Sequence, residues 1–490
     1  MSSFRKRASS ARRDPFRAAR LLTLLLAGVA ARAQDAALPP APPLAIVGAT
    51  VVPMDRAGSL PDQTVLVADG RITALGPADE LAVPAGSTVI DGHGRWLMPG
   101  LVDMHVHSWF ESELTLDLAN GVTTIRNMFG SPLQVAWRDE VAAGTRLGPS
   151  IVTAGPIVDG SPPVWPGSLV VNTPEDARTA VQAHVDGHYD FVKVYDRLTP
   201  EAYDAVIAEA KAAGLPVFGH VPERVGLHAV LASGQRTLEH MFGFEACFAG
   251  PDVPPEPAKF LTRLRQWTPP DAARMAALAT DAAAAGIFQC PTLIVMQKMA
   301  VGADDAAELA RPCMRYVDPF MLTVWKQSAE RPPEMAEAAR AGLPTRDALV
   351  RALHAAGAPL LLGTDCGNAW VVAGFAVHEE LANLVACGLS PAEALRAATL
   401  TPAECLRATN EFGAVAPGLR ADLLLLDADP LQDVANAQKR VGVVVRGRWL
   451  PEAELQARLE AVATPAGAVA EPTGGPASEP AAAEPAVAPK

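Results

Sequence analysis

Six residues of this chain are of types that bind divalent cations: His105, His107, Lys193, His220, His240 and Asp365. Each closes a short apolar run, respectively within PGLVDMHVH, DFVKVY, PVFGHV, TLEHM and PLLLGTD. Imidazole is a ready ligand for zinc. His105-x-His107 on a strand puts both rings on one face, because side chains alternate with period two. By itself that pattern fits two merely polar histidines equally well. Lys193 stands inside F-V-K-V-Y, where a lone ammonium is costly to desolvate. It reads either as a snorkelling or salt-bridged lysine, or as a lysine carboxylated by CO2 whose carbamate oxygens bridge two metals. His220 and His240, on consecutive apolar segments, can hold a second ion, and Asp365 can both ligate and accept a proton. All six falling at segment ends points to one shared site and predicts a metal-dependent hydrolase.

A parallel β/α barrel positions such groups, since its strands deliver their C-terminal ends to a single rim. The alternation of the chain supplies eight candidate strands: 101–107, 121–128, 149–158, 190–195, 216–221, 236–241, 286–295 and 358–365. Helix starts lie between them, as in Thr199-Pro200-Glu201, where Thr caps, Pro takes the first turn and Gly214 ends the run, and in Ser390-Pro391-Ala392-Glu393. The stretches 252–283 and 300–345 exceed a normal connection, so a helical insertion is expected over about 252–345. Outside the middle, residues 44–96 hold short alternating strands with a hairpin signal at Asp69-Gly70, and the same grammar returns in 421–429 and 440–450. The expected fold is α/β: a distorted (β/α)8 TIM barrel over 97–408, with a small β-sandwich built from both chain ends, 44–96 and 409–462.

The two termini read differently. Residues 1–33 contain a basic start, the apolar run LLTLLLAGVA and Ala31-Arg32-Ala33, the order of a secretory signal cleaved after Ala33. A periplasmic or secreted protein is expected, with Arg12-Arg13 leaving both Sec and twin-arginine export open. From about 464 nearly every residue is Ala, Pro, Gly, Glu, Ser, Thr or Val with no aromatic residue, and the segment is expected to be a disordered tail. Residues 1–33 carry eight of the 41 basic residues and one of the 54 acidic ones, so the remainder has a net charge of −20. That charge argues against nucleic acid or an anionic membrane as partner and favours a small-molecule substrate. No second run approaches the length of a membrane span. The six cysteines show no ligand spacing and are expected to be buried free thiols. A homo-oligomer is compatible with the sequence.

The ordered set PGLVDMHVH, VKVY, GHV, EHM and GTD resembles the metal-dependent amidohydrolase superfamily, in the branch of imidazolonepropionases and Xaa-Pro dipeptidases, over roughly residues 44–450. The resemblance implies two zinc ions, with His105, His107 and Asp365 on one, His220 and His240 on the other, and carboxylated Lys193 bridging. Imidazolonepropionases have one metal and no such lysine, so Lys193 favours the binuclear, dipeptidase-like side. A hydroxide shared by two cations is a nucleophile at neutral pH, and Asp365 would shuttle its proton to the departing amine. Amide or peptide C–N bonds in dipeptides or N-acyl amino acids are the expected substrates. Cyclic amides or lactones are the alternative, and a barrel that binds without catalysing is the non-enzyme one. Tyr195, on the strand face of Lys193, is a candidate hydrogen-bond partner for substrate or a packing aromatic. Arg126 is a candidate partner for a substrate carboxylate or a member of a structural ion pair. Glu239 is expected to face away from the metals or to support a ligand, and Cys366 invites a thiol mechanism that lacks a spare histidine.

Overall fold

The computed structural model describes residues 41–248, 260–302, 305–329 and 332–464. The expected leader, the tail from 465 and the first residues of the expected insertion lie outside them. Among the described residues no helix is long and apolar enough to cross a membrane.

The two chain ends form one eight-stranded sheet, where two stacked sheets were expected. Its N-terminal strands are β1 (Leu44–Val51), β2 (Leu60–Ala68), β3 (Arg71–Pro77), β4 (Thr88–Asp91) and β5 (Trp96–Pro99). β1 explains why a single sheet suffices. One edge pairs antiparallel with β2, with register irregularities between Ile46 and Val51; on the other, residues 44–47 pair with β4 and residues 50–51 with β5. Beyond β5 come the C-terminal strands, after the ring strands numbered below. The sheet curls, because the Ile72 amide donates to the Leu419 carbonyl at 2.9 Å and the Gly418 amide to the Ile72 carbonyl at 2.8 Å. Leu44, Ile46, Val65, Leu97, Leu425 and Val444 fill the concave side.

The middle of the chain is a ring of parallel segments. Its strands are β6 (Leu101–Val106), β7 (Val122–Asn127), β8 (Ser150–Thr153), β9 (Val158–Asp159), β10 (Leu169–Val170), β11 (Val192–Val194), β12 (Val217–Gly219), β13 (Thr237–Glu239) and β14 (Phe288–Cys290). β6, β7 and β8 pair in parallel, and a bridge from Ala154 to Phe191 leads toward β11 and β12. The Arg236 amide donates to the Val217 carbonyl at 2.8 Å, joining β12 to β13, which pairs with β14. Bridges Gln289 to Leu360 and Val106 to Cys366 carry the ring through residues 358–366 and back to β6. The flanking sheet is completed by β15 (Leu423–Leu426), β16 (Arg440–Val445) and β17 (Arg448–Pro451), with β15 antiparallel to β5.

Regular strand is shorter than the sequence suggests, and three expectations change. The run 149–158 divides into β8 and β9, with β10 beyond. The run 286–295 stops at Cys290, and Leu293–Val301 is helix. Residues 358–365 form bridges but no strand. Pro359 has no amide to give, and the Thr364 amide goes to the Asp103 side chain at 2.9 Å. The expected insertion also encloses β14 and the preceding helix Ala272–Ala285, which belong to the ring; the additional helices lie between Leu293 and Ala329. All six cysteines are buried and unbridged.

Ring closure is tight where β11 meets β12. Gly219 has φ +135°, and a Cβ there would stand 2.2 Å from the Val194 carbonyl oxygen. Gly214, after the helix Pro200–Ala212, also has positive φ but open space around it. Gly219→Ala should cost about 2–4 kcal/mol of stability, against about 1 kcal/mol for Gly214→Ala. Equal losses in a thermal or urea melt would contradict this account of the closure.

Candidate metal centre

The ring brings all six sequence-predicted ligands together. His105 lies one residue before the end of β6 with His107 just past it, Lys193 lies in β11, and His220, His240 and Asp365 follow β12, β13 and the bridged segment. Asp365 Oδ1 is 3.3 Å from His105 Nε2 and 3.1 Å from His107 Nε2, and its Oδ2 is 3.8 Å from His240 Nε2. Lys193 Nζ sits 3.4 Å from His105 Nε2. The ring centroids of His105 and His240 are 4.7 Å apart, and those of His220 and His240 4.9 Å. His240, Met241 and Asp365 hold positive φ without being glycine, a backbone cost tolerated where position matters more than ease.

Burial decides the protonation states. It drives His105 well below the ordinary imidazole value, lowers His107 and His220, and takes His240 to about 3. All four imidazoles are therefore neutral at pH 7, the form that binds metal. Burial alone would raise Asp365, but the charge that His105, His240 and His107 carry when protonated, with the hydrogen bond from His107, draws the carboxyl well below its usual range. Burial brings Lys193 down to about 8.

This donor set fits a divalent cation. Ligand atoms of His105, His107 and Asp365 all lie within 4.8 Å of one another. His105 and His220 each spend Nδ1 on a carboxylate, so Nε2 presents a lone pair, and His220 Nε2 is buried with no hydrogen-bond partner. Lone pairs converging out of water call for a cation. The neighbouring group His105, Glu239 and Cys290 does not fit one. Glu239 is already shared by His105 and Arg126, and burial drives the Cys290 thiol well above its normal value.

Two carboxylate and guanidinium pairs stand behind the ligands. Glu239 Oε2 accepts from His105 Nδ1 at 2.8 Å, while its Oε1 accepts from Arg126 at 2.8 Å and from the Thr237 hydroxyl. Arg126 is fully buried and also donates to the Met104 carbonyl at 2.5 Å. It is committed inside the ring and is corrected from a substrate partner to the structural ion-pair member. Glu239 points inward, beneath His105. On the other side Asp196 accepts from His220 Nδ1 at 2.7 Å and from Arg263 at 2.9 Å. Burial would raise Asp196, but Arg263 and His220 hold it low. Asp196 and Arg263 escaped the sequence analysis. The only trace was an aspartate immediately after VKVY, while Arg263 comes from a helix 67 residues further on. Tyr195 lies against His220 at 4.0 Å between centroids, and its hydroxyl accepts the Trp165 indole N–H at 2.8 Å. Cys366 is buried and its thiol is driven well above the normal value, so it offers no thiolate.

A ring of parallel segments with histidines, a lysine and an aspartate at its strand ends is an architecture of the amidohydrolase type. The chain belongs to the Amidohydrolase family, whose model matches residues 96–450. An imidazolonepropionase of Rubrobacter xylanophilus is 26% identical over 79% of this chain and 91% of its own length. Among solved structures, bottromycin amidohydrolase is 27% identical with a TM-score of 0.70, covering 92% of this chain and 95% of its own. A Bifidobacterium longum structure with a provisional prolidase name is 27% identical with a TM-score of 0.65, covering 86% and 100%. The match to an adenine deaminase of a Chelativorans strain is 31% identical but spans only 34% of that protein's length and 39% of this chain.

If the carboxylate behind His220 sets its tautomer and orientation, Asp196→Asn should weaken metal binding about 10–100-fold. Competition against a chelator reads this directly. Asp190→Asn, at the Arg138 ion pair away from the centre, serves as control. Equal affinities in both variants would remove the orienting role.

Proposed function

We propose that the protein hydrolyses amide or peptide C–N bonds in small molecules, of the dipeptide or N-acyl amino acid type, at a centre of two divalent cations, zinc in the first instance. The observation that carries this is Lys193, a buried amine set among four neutral imidazoles with Nζ at hydrogen-bond range of His105 Nε2. As a carbamate it would offer two oxygens between the His105, His107 and Asp365 group and the His220 and His240 pair. When bound, the cations supply an acidified water and polarise the scissile carbonyl.

The chain's own residues do the rest. Asp365, held ionised by its neighbours, is placed to take a proton from attacking water and release it to the departing nitrogen, the transfer that expulsion of an amine requires. Tyr195 accepts from Trp165, which leaves its own hydroxyl hydrogen for a substrate oxygen. Glu239 and Asp196 keep His105 and His220 in the tautomer that presents Nε2. The reading draws support from the amidohydrolase and prolidase names of the two solved structures. Cyclic amides are the second reading, favoured by the imidazolonepropionase likeness along most of the chain. We also propose export to the periplasm or beyond, on the leader at 1–33; mature protein should then begin near Gln34.

Lys193→Ala is expected to lose most bound metal and nearly all turnover on a dipeptide and N-acyl amino acid panel. Added acetate or propionate should restore part of both, by placing two oxygens where the carbamate stood. Elemental analysis of the wild type should give about two equivalents of metal. Full metal content and activity in Lys193→Ala would end the carbamate assignment, and turnover of cyclic amides alone would select the second reading.

A further inference from the structure

Residues 160–168, GSPPVWPGS, leave the ring between β9 and β10 and carry Trp165, 41% exposed. The segment is firmly pinned. The Asp159 carboxylate accepts backbone N–H groups from Gly160 at 2.9 Å, Val164 at 2.8 Å and Arg197 at 2.7 Å. Asn172 Oδ1 accepts the Ser161 amide at 3.1 Å, and the Arg197 guanidinium donates to the Pro162 carbonyl at 2.5 Å. So anchored, Trp165 spends its one polar atom on Tyr195. Its ring is left as apolar surface facing water.

That surface is continuous with the ligand cluster. Tyr195, which receives the indole N–H, lies against His220 with the rings inclined by 30°. On the other flank Trp109 runs nearly parallel to His107, at 6.2 Å and 11°, and meets Phe129 edge to face at 5.8 Å. The pinned segment closes the gap between the two flanks, since a Cβ on its Gly167 would stand 3.7 Å from Phe129 Cζ. An arc of Trp109, Phe129, Trp165 and Tyr195 thus runs from His107 to His220. Keeping a large aromatic ring exposed forgoes the gain from burying it, and a rigid apolar surface loses little entropy when a ligand covers it. Such surfaces beside a polar reaction centre are where binding energy concentrates.

We infer that Trp165 is a specificity-determining residue, and that the ligand of this site carries an aromatic or large branched apolar group that packs on the arc while its polar head faces His107, Asp365 and His220. The term substrate for that ligand rests on the hydrolase reading above; the recognition does not. The test compares benzylphosphonic with methylphosphonic acid, which share a head group and differ in the apolar arm, by calorimetry on metal-loaded full-length protein. The wild type should bind the benzyl compound at least about tenfold more tightly. Trp165→Ala should reduce that ratio to within about twofold while leaving methylphosphonate affinity and metal content in place. Tyr195→Phe, which removes the hydrogen bond but keeps a ring, should hold most of the ratio. No benzyl preference in the wild type, or the same preference in Trp165→Ala, overturns the inference. A clear preference in a protein that cleaves no amide would overturn the hydrolase reading and leave this one standing.

Discussion

Desolvation at the strand ends sets the terms for everything around it. Three imidazoles, an amine and a carboxylate lie almost entirely out of water, with the His107 ring 15% exposed beside them, and none of the buried groups would stay there unsupported. Each carboxylate brought in to orient an imidazole is itself a buried charge, so it arrives with a guanidinium: Glu239 with Arg126, Asp196 with Arg263. The pairs stabilise little as pairs, because the cost of drying both partners offsets most of their attraction. What they secure is geometry. Removing Glu239 would leave the Arg126 charge without its carboxylate in the core, whereas Arg263 is held by Glu245 and Glu223 as well as by Asp196, so each histidine's orientation is tied to the integrity of its surroundings.

The same demand reaches the helices outside the ring. Thr292 opens the helix Leu293–Val301, a position where a threonine hydroxyl ordinarily caps the first free amides. Here that hydroxyl is 2.6 Å from His240 Nδ1 and the residue is left-handed. The amides of Leu293 and Ile294 are met instead by the two oxygens of Glu380, at 2.8 and 2.9 Å, from the helix Phe375–Ala386. Glu380 pays for this in burial, which raises its carboxyl to about 7. Fixing one imidazole has thus rewritten a helix cap and recruited an acid 88 residues further along the chain than Thr292, to do the displaced work.

These relays mark the boundary of what the sequence could reveal. The candidate ligands were legible because each falls at or near the end of an apolar run, where a histidine, lysine or aspartate contradicts its surroundings. The order of those runs also disclosed the ring. Glu239 and Arg126 were visible as charges inside such runs, but period-two alternation says only that Glu239 opposes His240. It cannot say that the opposite side is the interior of the ring, where Arg126 waits. Arg263 and Glu380 sit on helices amid ordinary helical residues, and nothing local distinguishes them from solvated charges. The eighth segment failed for a related reason. LLLGTD has the composition of a strand, but its amide at Thr364 was claimed by Asp103, a partner 261 residues away. Composition reports what a segment can do alone; long-range polar bonds decide what it does.

The flanking sheet belongs to this argument rather than beside it. β5 ends at Pro99 and β6 begins at Leu101, so only Gly100 separates the sheet from the strand carrying His105. Gly100 donates its amide to the Asp422 carbonyl at 2.8 Å, at the threshold of β15, and a Cβ there would stand 2.1 Å from Thr123 Oγ1 at the start of β7. One residue without a side chain therefore fits against the C-terminal half of the sheet and the second ring strand together. The Asp422 carboxylate also accepts the Arg446 amide at 2.7 Å, binding β15 to the turn between β16 and β17. With no slack between β5 and β6, a shift of the sheet would be passed directly to the height of His105 and His107. His105 and His107 lie against Asp365, which arrives on the segment bridged to β6 at Val106 and Cys366, and this leaves little room for such a shift. The closure of the two chain ends into one sheet is thereby a constraint on the strand that carries His105.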